Sequence, residues 1–171
     1  MSRDGLARVL FGLLTLAVGV TDQGSKAIVV RHLDPSLSIP VIPGLFNLTF
    51  VTNRGALFGL LHDLPDPYRA VLFTIVPTLA VALVVLFQYR TDVAERVTQG
   101  GLALILGGAL GNLADRIRFG HVIDFLDVFI GTHHWPAFNV ADSSICVGVG
   151  LLLFDLLARS RRAPSPAPPE G

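Results

Sequence analysis

The chain has 171 residues, of which 51% are hydrophobic and only 15% are charged, against roughly a quarter in an average soluble domain. Lysine and arginine together number 13, aspartate and glutamate also number 13, and the formal net charge is therefore zero. This composition excludes a disordered chain, a strongly basic nucleic-acid-binding protein and, because Cys146 is the single cysteine, a disulfide-stabilised secreted module.

Four stretches are apolar and long enough to cross a membrane, which takes about 20 residues as a helix. The first covers residues 9–30 and is interrupted by Asp22 and Lys26. A cleaved signal peptide is an alternative for this stretch, but no small-residue cleavage site follows it and three further spans do. We expect Cys146, in the last span, to be buried in the bundle. The other predicted spans are residues 70–89, 97–116 and 138–158.

Basic residues near the ends of the spans predict the orientation of the chain. Because such residues stay on the cytoplasmic side, we expect both termini to be cytoplasmic. Residues 31–69 and 117–137 then lie outside, the domain covers residues 1–162, and the Pro-rich tail of residues 163–171 is disordered. The basic residues that carry this argument are Arg3, Arg8, Arg90, Arg96, Arg159, Arg161 and Arg162.

The first outer segment contains a β-prone stretch over residues 38–52, where alternating and β-branched residues are broken by Pro40, Pro43 and Gly44. This pattern predicts a small strand-rich platform at the outer membrane surface. We expect the second outer segment to be a loop.

Polar residues from distant segments converge on the outer membrane face, where ionisable groups are costly and therefore suggest function. Asp22 and Lys26 are four residues apart and have a structural alternative as a helical ion pair. Asn139 and Asp142 have a structural alternative as a helix cap. Asp124 has the weakest structural explanation, because it interrupts an apolar stretch. Asp115 and Arg116 have an alternative as interfacial charges that end a span, and Asp127 has one as an ordinary loop charge. The full set is Asp22, Lys26, Asn53, Asn112, Asp115, Arg116, Asp124, Asp127, Asn139 and Asp142.

Other catalytic chemistries fit less well. His121, His133 and His134 raise the possibility of a metal site, but no HExxH motif or Cys/His pair accompanies them, so we expect no metal or other cofactor. Ser143 and Ser144 do not lie in a G-x-S-x-G turn. A membrane phosphatidyltransferase would need metal-binding aspartates at a spacing that this chain lacks. An ion or proton carrier would favour inverted repeats, and none is visible.

Two aspartates that face each other can share a proton and hydrolyse a peptide bond without metal or covalent intermediate. Asp124 and Asp142 come from different segments, as such a pair requires. The positive end of the fourth span favours the charged form of Asp142. We therefore predict that Asp124 holds the shared proton.

Five motifs occur in order on this topology and resemble those of the lipoprotein signal peptidase (signal peptidase II) family. The resemblance extends over about residues 9–158 and rests on their joint order, since each motif alone is short. The motifs are T-D-Q-G-S-K at 21–26, N-R-G-A-L-F-G at 53–59, G-N-L-A-D-R at 111–116, V-I-D-F at 122–125 and F-N-V-A-D-S at 138–143.

The resemblance implies a bacterial inner-membrane aspartyl peptidase that cleaves prolipoproteins just before a diacylglyceryl-modified cysteine. It implies a bundle of four transmembrane helices with a small extracytoplasmic β-rich cradle and a short periplasmic helix near residues 53–61. The expected partners are the lipid-modified substrates and membrane lipids, with no nucleic acid, and the expected state is a monomer. The implied roles are catalysis for Asp124 and Asp142, substrate binding or support for Asn53, Asn112, Arg116 and Asn139, and structure for Asp22, Lys26 and Asp115.

Overall fold

The computed structural model describes residues 2–55 and 65–161. These residues form four long helices and a small antiparallel sheet with the strand order β1-β2-β3-β4. The short helix expected near residues 53–61 and the tail of residues 163–171 fall mainly or wholly outside the described residues. The elements are α1 (Arg3–His32), β1 (Ile39–Ile42), β2 (Phe46–Asn53), α2 (Asp66–Arg90), α3 (Arg96–Phe119), β3 (Val122–Ile130), β4 (His133–His134) and α4 (Val140–Ser160).

The four predicted spans are confirmed as helices that are long and apolar enough to cross a membrane. The starts of the first and fourth helices differ from the predicted ones, and a side chain caps each of them. The first helix begins at Arg3, because the Ser2 side chain accepts a hydrogen bond from the Gly5 N–H at 3.1 Å. The fourth begins at Val140, because Asn139 is its N-cap.

Helix α3 is the central helix of the bundle and contacts the other three. Its glycines allow the neighbours to approach closely, as small residues do between helices in lipid. A Cβ atom at Gly107 would lie 2.7 Å from the Thr15 carbonyl oxygen of α1, and one at Gly108 would overlap the Ala141 carbonyl of α4. These two close approaches bring the polar residues of α1, α3 and α4 to one end of the bundle.

Most of residues 117–137, expected to be a loop, form the strands β3 and β4. Gly120 ends α3 in a left-handed conformation with φ of 74°, and β3 then pairs antiparallel with β2. In this register Val51 lies opposite Asp124 and Asn53 lies opposite Val122. The partners come from distant segments without a connecting hairpin turn, so the local sequence pattern does not indicate the pairing.

The sheet packs on the bundle through a small apolar core formed by Val29, Ile123 and Phe125, which are all buried. The outward faces of the helices carry exposed apolar side chains that suit contact with lipid, among them Leu83 of α2. The expectation that Cys146 is buried is wrong. Helix α4 packs on α3 through the face that carries Ala141, Ile145, Gly148 and Leu152, and Cys146 lies off that face.

Candidate active site

All nine polar residues predicted for the site lie in one continuous network of hydrogen bonds and ion pairs. The network joins β2 and β3 of the sheet to α1, α3 and the first turn of α4. Its members are Asp22, Lys26, Asn53, Asn112, Asp115, Arg116, Asp124, Asn139 and Asp142.

Asp124 is buried in β3, with 2% of its surface exposed. Its Oδ2 accepts from Asn53 Nδ2 at 3.0 Å, and its Oδ1 accepts from Asn139 Nδ2 at 2.7 Å. Burial, together with the negative charge of Asp142, raises the pKa of Asp124 to about 6, against the lowering effect of the two amides and of Lys26. This carboxyl group therefore holds its proton up to about pH 6, well above the range of an ordinary aspartate.

Asp142 occupies the third position of α4 and forms a reciprocal capping box with Asn139. The Asp142 N–H donates to Asn139 Oδ1 at 2.9 Å, and the Asn139 N–H donates to Asp142 Oδ2 at 3.2 Å. Asn112 Nδ2 donates to the other carboxylate oxygen of Asp142 at 2.7 Å. Asp142 is thus held by two donors in the first turn of α4.

The loop after β2 fixes the orientation of the Asn53 side chain. Its Oδ1 accepts from the Gly55 N–H at 2.8 Å, so its NH₂ group is directed at Asp124. Gly55 adopts a φ of 89°, and a Cβ there would overlap the ring of Phe73 on α2. Only glycine fits this turn, so the motif that begins at Asn53 orients the donor to Asp124.

Lys26 is the buried cation of the network, and each of its three ammonium protons has an acceptor. Lys26 Nζ lies 2.8 Å from Asp22 Oδ2, 2.8 Å from Asp115 Oδ2 and 2.9 Å from Asn112 Oδ1. Asp22 Oδ1 in turn accepts from the Ala141 N–H of α4 at 3.0 Å. The helical pair of Asp22 and Lys26 exists, but it is part of a larger group that ties α1, α3 and α4 together.

Gln23 also belongs to this group, although sequence reasoning did not identify it as a site residue. Its Nε2 donates to Asp115 Oδ1 at 2.8 Å and to the Gly111 carbonyl at 3.1 Å. Its Oε1 accepts from Arg118 Nη1 at 3.2 Å. Gly111 was also missed, and a Cβ there would lie 2.5 Å from Asp22 Oδ2. The sequence signal that could have identified Gln23 is its long polar side chain inside an apolar span.

Arg116 is half-buried and lies in the electrostatic field of Asp142 and Asp124. Its Nη1 donates a hydrogen bond to the Asn112 carbonyl at 3.4 Å. Among residues 2–55 and 65–161, no carboxylate forms a salt bridge with this guanidinium. It therefore keeps donors that could meet another molecule.

The three histidines do not form a metal centre in the described part of the chain. No group of three or more His, Cys, Asp or Glu side chains there could hold a metal ion. His134 instead stacks on Phe129, and its Nδ1 lies 2.8 Å from Asp127 Oδ1. Asp127 also accepts from Asn47 at 3.2 Å, so it supports the sheet.

Four membrane-length helices and two amide-bound aspartates, of which Asp124 is buried and Asp142 partly buried, define a multi-pass membrane protein with a carboxylate centre at one end of the bundle. Residues 14–158 match the family model of signal peptidase (SPase) II. The chain belongs to this family of membrane-bound aspartic peptidases.

Individual relatives and solved structures agree with this assignment. The chain is 46% identical over 153 residues to the lipoprotein signal peptidase of Geobacter metallireducens, covering 90% of this chain and 93% of that protein. It is 49% identical over 148 residues to the lipoprotein signal peptidase of Syntrophotalea carbinolica, covering 85% of this chain and 89% of that protein. A bacterial membrane enzyme solved by the in meso method at 2.3 Å resolution superposes with a TM-score of 0.79 at 31% identity, covering 93% of this chain and 94% of that one.

Proposed function

We propose that this peptidase removes the signal peptide from prolipoproteins by cutting just before a diacylglyceryl-modified cysteine, with Asp124 and Asp142 as its catalytic pair. The observation that carries the proposal is the shared contact of both carboxylates with Asn139, since a joint donor keeps the two acids near each other. The similarity to lipoprotein signal peptidases supports the substrate class.

In the proposed reaction Asp142 is the general base and Asp124 the general acid. Asp142 takes a proton from a water molecule, whose oxygen attacks the scissile carbonyl carbon. Asp124 gives its proton to the carbonyl oxygen, so that a neutral tetrahedral diol forms. The C–N bond then breaks, the leaving amine takes the proton from Asp142, and Asp124 recovers its own from the diol. The pKa of about 6 for Asp124 supports its assignment as the acid.

The remaining polar residues receive roles that follow from their contacts. Asn53 and Arg116 line the substrate site, and the spare donors of Arg116 meet a substrate carbonyl or lipid headgroup. Asn112 and Asn139 position the two carboxylates. A further set has a structural role and locks the helices together, namely Asp22, Lys26 and Asp115.

The orientation proposed for the chain places this site at the outer face of the bacterial inner membrane, with both termini in the cytoplasm. The sheet then forms an extracytoplasmic cradle, and a short periplasmic helix covers the site. The acyl chains of the substrate stay in the bilayer while its scissile bond reaches the headgroup level, where the polar network lies. The enzyme acts as a monomer and as a single domain over residues 1–162.

Purified Asp124→Asn and Asp142→Asn, assayed on a lipidated precursor in detergent with a metal chelator, test the proposal. We expect cleavage by the parent and almost none by either variant. The matched control is Asp127→Asn, because Asp127 lies on the same strand as Asp124 but contacts Asn47 and His134 instead. Cleavage that survives both substitutions would contradict the pair, and loss of parental activity with the chelator would indicate a metal.

A further inference from the structure

A cavity of about 530 Å³ lies between the first half of α1 and the start of α3, far from the aspartates. This volume is in the range of pockets that hold small molecules. Its walls include Arg3, Leu6, Leu10, Leu14, Arg96 and Gly100.

The position of the cavity corresponds to one leaflet of the bilayer. At a rise of 1.5 Å per residue, Arg3 lies about 28 Å along α1 from Asp22, which is close to the hydrocarbon thickness of about 30 Å. Leu6, Leu10 and Leu14 repeat every four residues and so share one face of the helix. The distance from Arg3 to Leu14 is about 16 Å, roughly half the hydrocarbon thickness.

The rim of the cavity carries two guanidinium groups that are available to an anion. Arg3 and Arg96 are exposed, and within residues 2–55 and 65–161 neither forms a salt bridge with a carboxylate. At the same end of the bundle, Arg159 forms salt bridges with Glu95 and Asp155. Guanidinium groups bind phosphate oxygens through paired N–H donors.

We propose that this cavity binds an anionic phospholipid of the leaflet opposite the sheet. The phosphate contacts Arg3 and Arg96, and an acyl chain lies along the leucine face of α1. An adjoining cavity of about 380 Å³, which shares Phe11 and Val93 with the first, adds the guanidinium of Arg8 and room for a second chain. The basic end of a signal peptide is disfavoured as occupant because it would meet like charges. This proposal does not depend on the peptidase chemistry.

A paired steric substitution tests where the lipid binds. Gly100 lines the cavity and a Cβ atom there meets nothing within 4 Å, so Gly100→Leu is designed to fill part of the cavity with its side chain. Gly150 on α4 is equally open but lies outside the cavity, and Gly150→Leu is the matched control. The full-length protein is released from micelles that contain equimolar phosphatidylglycerol and phosphatidylcholine, and retained lipid is counted by native mass spectrometry.

We expect the parent and Gly150→Leu to retain phosphatidylglycerol preferentially, and Gly100→Leu to lose most of it. The charge test compares Arg96→Gln with Arg161→Gln, whose arginine lies at the same end of the bundle but outside the cavity. Arg96→Gln should lower the retention of phosphatidylglycerol about fivefold, which corresponds to about 1 kcal/mol of binding free energy. Arg161→Gln should leave this retention unchanged. Equal retention of the two lipids by the parent, unchanged retention in Gly100→Leu and Arg96→Gln, or displacement of the lipid by a basic signal peptide would overturn the proposal.

Discussion

Asn139 donates its side-chain amide to Asp124 at 2.7 Å, across the junction between the sheet and the bundle. The backbone N–H of the same residue donates to Asp142, and its side-chain oxygen caps α4. One asparagine thus sets the position of both carboxylates and begins the helix that carries one of them. Asn112, which contacts both Asn139 and Asp142, extends this control to α3.

Two substitutions at Asn139 separate its capping from its contact with Asp124. Asn139→Ala removes both, so we expect cleavage to fall about ten- to a hundredfold, as the loss of a hydrogen bond to a charged group predicts, together with about 1 kcal/mol of stability. Asn139→Ser keeps a good N-cap, so it should retain most of the stability while losing similar activity. Measured kcat and melting temperatures check this, and full activity of Asn139→Ser would show that the amide contact is dispensable.

The pH dependence of cleavage should follow the protonation of Asp124. Because the pKa of Asp124 is about 6 and the proposed acid must be protonated, kcat/KM should fall above about pH 6. The Asn53 amide stabilises the ionised form, so Asn53→Ala should raise this pKa and move the alkaline limb to higher pH. The control is Asn47→Ala, on the same strand but bound to Asp127, which should leave the limb in place. A limb that moves to lower pH in Asn53→Ala contradicts the assignment.

The helices were predictable because a membrane span is a local property of about 20 apolar residues. The strand β3 was not predictable from the sequence, because β2 and β3 come from segments separated by two helices. A strand that pairs with a distant segment has no turn signature. The exposure of Cys146 was also missed, since the face that α4 buries depends on the glycines of α3 against which it packs.

The candidate site was predictable as a set of residues but not as a network. Motif order pointed to nine polar residues, and the structure connects all of them. The separate explanations for Asp22 with Lys26, and for Asn139 as a cap, are both correct locally. They could not show that Asn112 joins the two groups, because that contact requires α1, α3 and α4 to be packed.

Loss of the buried ammonium group should be far more costly than loss of a surface cation. Lys26→Met leaves the carboxylates of Asp22 and Asp115 buried without their cation, so we expect about 3–5 kcal/mol of destabilisation. Adding Asp22→Asn should recover part of this loss. Arg159→Met, which breaks exposed ion pairs with Glu95 and Asp155, should cost far less. Unfolding in mixed micelles measures these differences, and equal losses for the two cations would contradict the role of Lys26.

Close packing at α3 predicts opposite outcomes for two alanine substitutions on the same helix. Gly108→Ala places a Cβ against the Ala141 carbonyl of α4, so we expect about 1–3 kcal/mol of destabilisation. Gly100→Ala meets nothing within 4 Å and should be neutral or stabilising by up to about 1 kcal/mol, because alanine favours the helix. Melting temperatures of both variants in one detergent test this. A tolerated Gly108→Ala would mean that α4 shifts without cost.

The stability of the protein should carry a pH-dependent contribution from Asp124. Its pKa is about 6 in the folded protein and about 3.9 in an unfolded chain, so between these values the folded state binds more protons. The free energy of unfolding therefore falls as pH rises from about 4 to 6, by on the order of 2 kcal/mol, and levels off above that range. Asp124→Asn should lack this decrease, and Asp127→Asn should retain it. Identical pH profiles for the parent and Asp124→Asn would place the proton elsewhere.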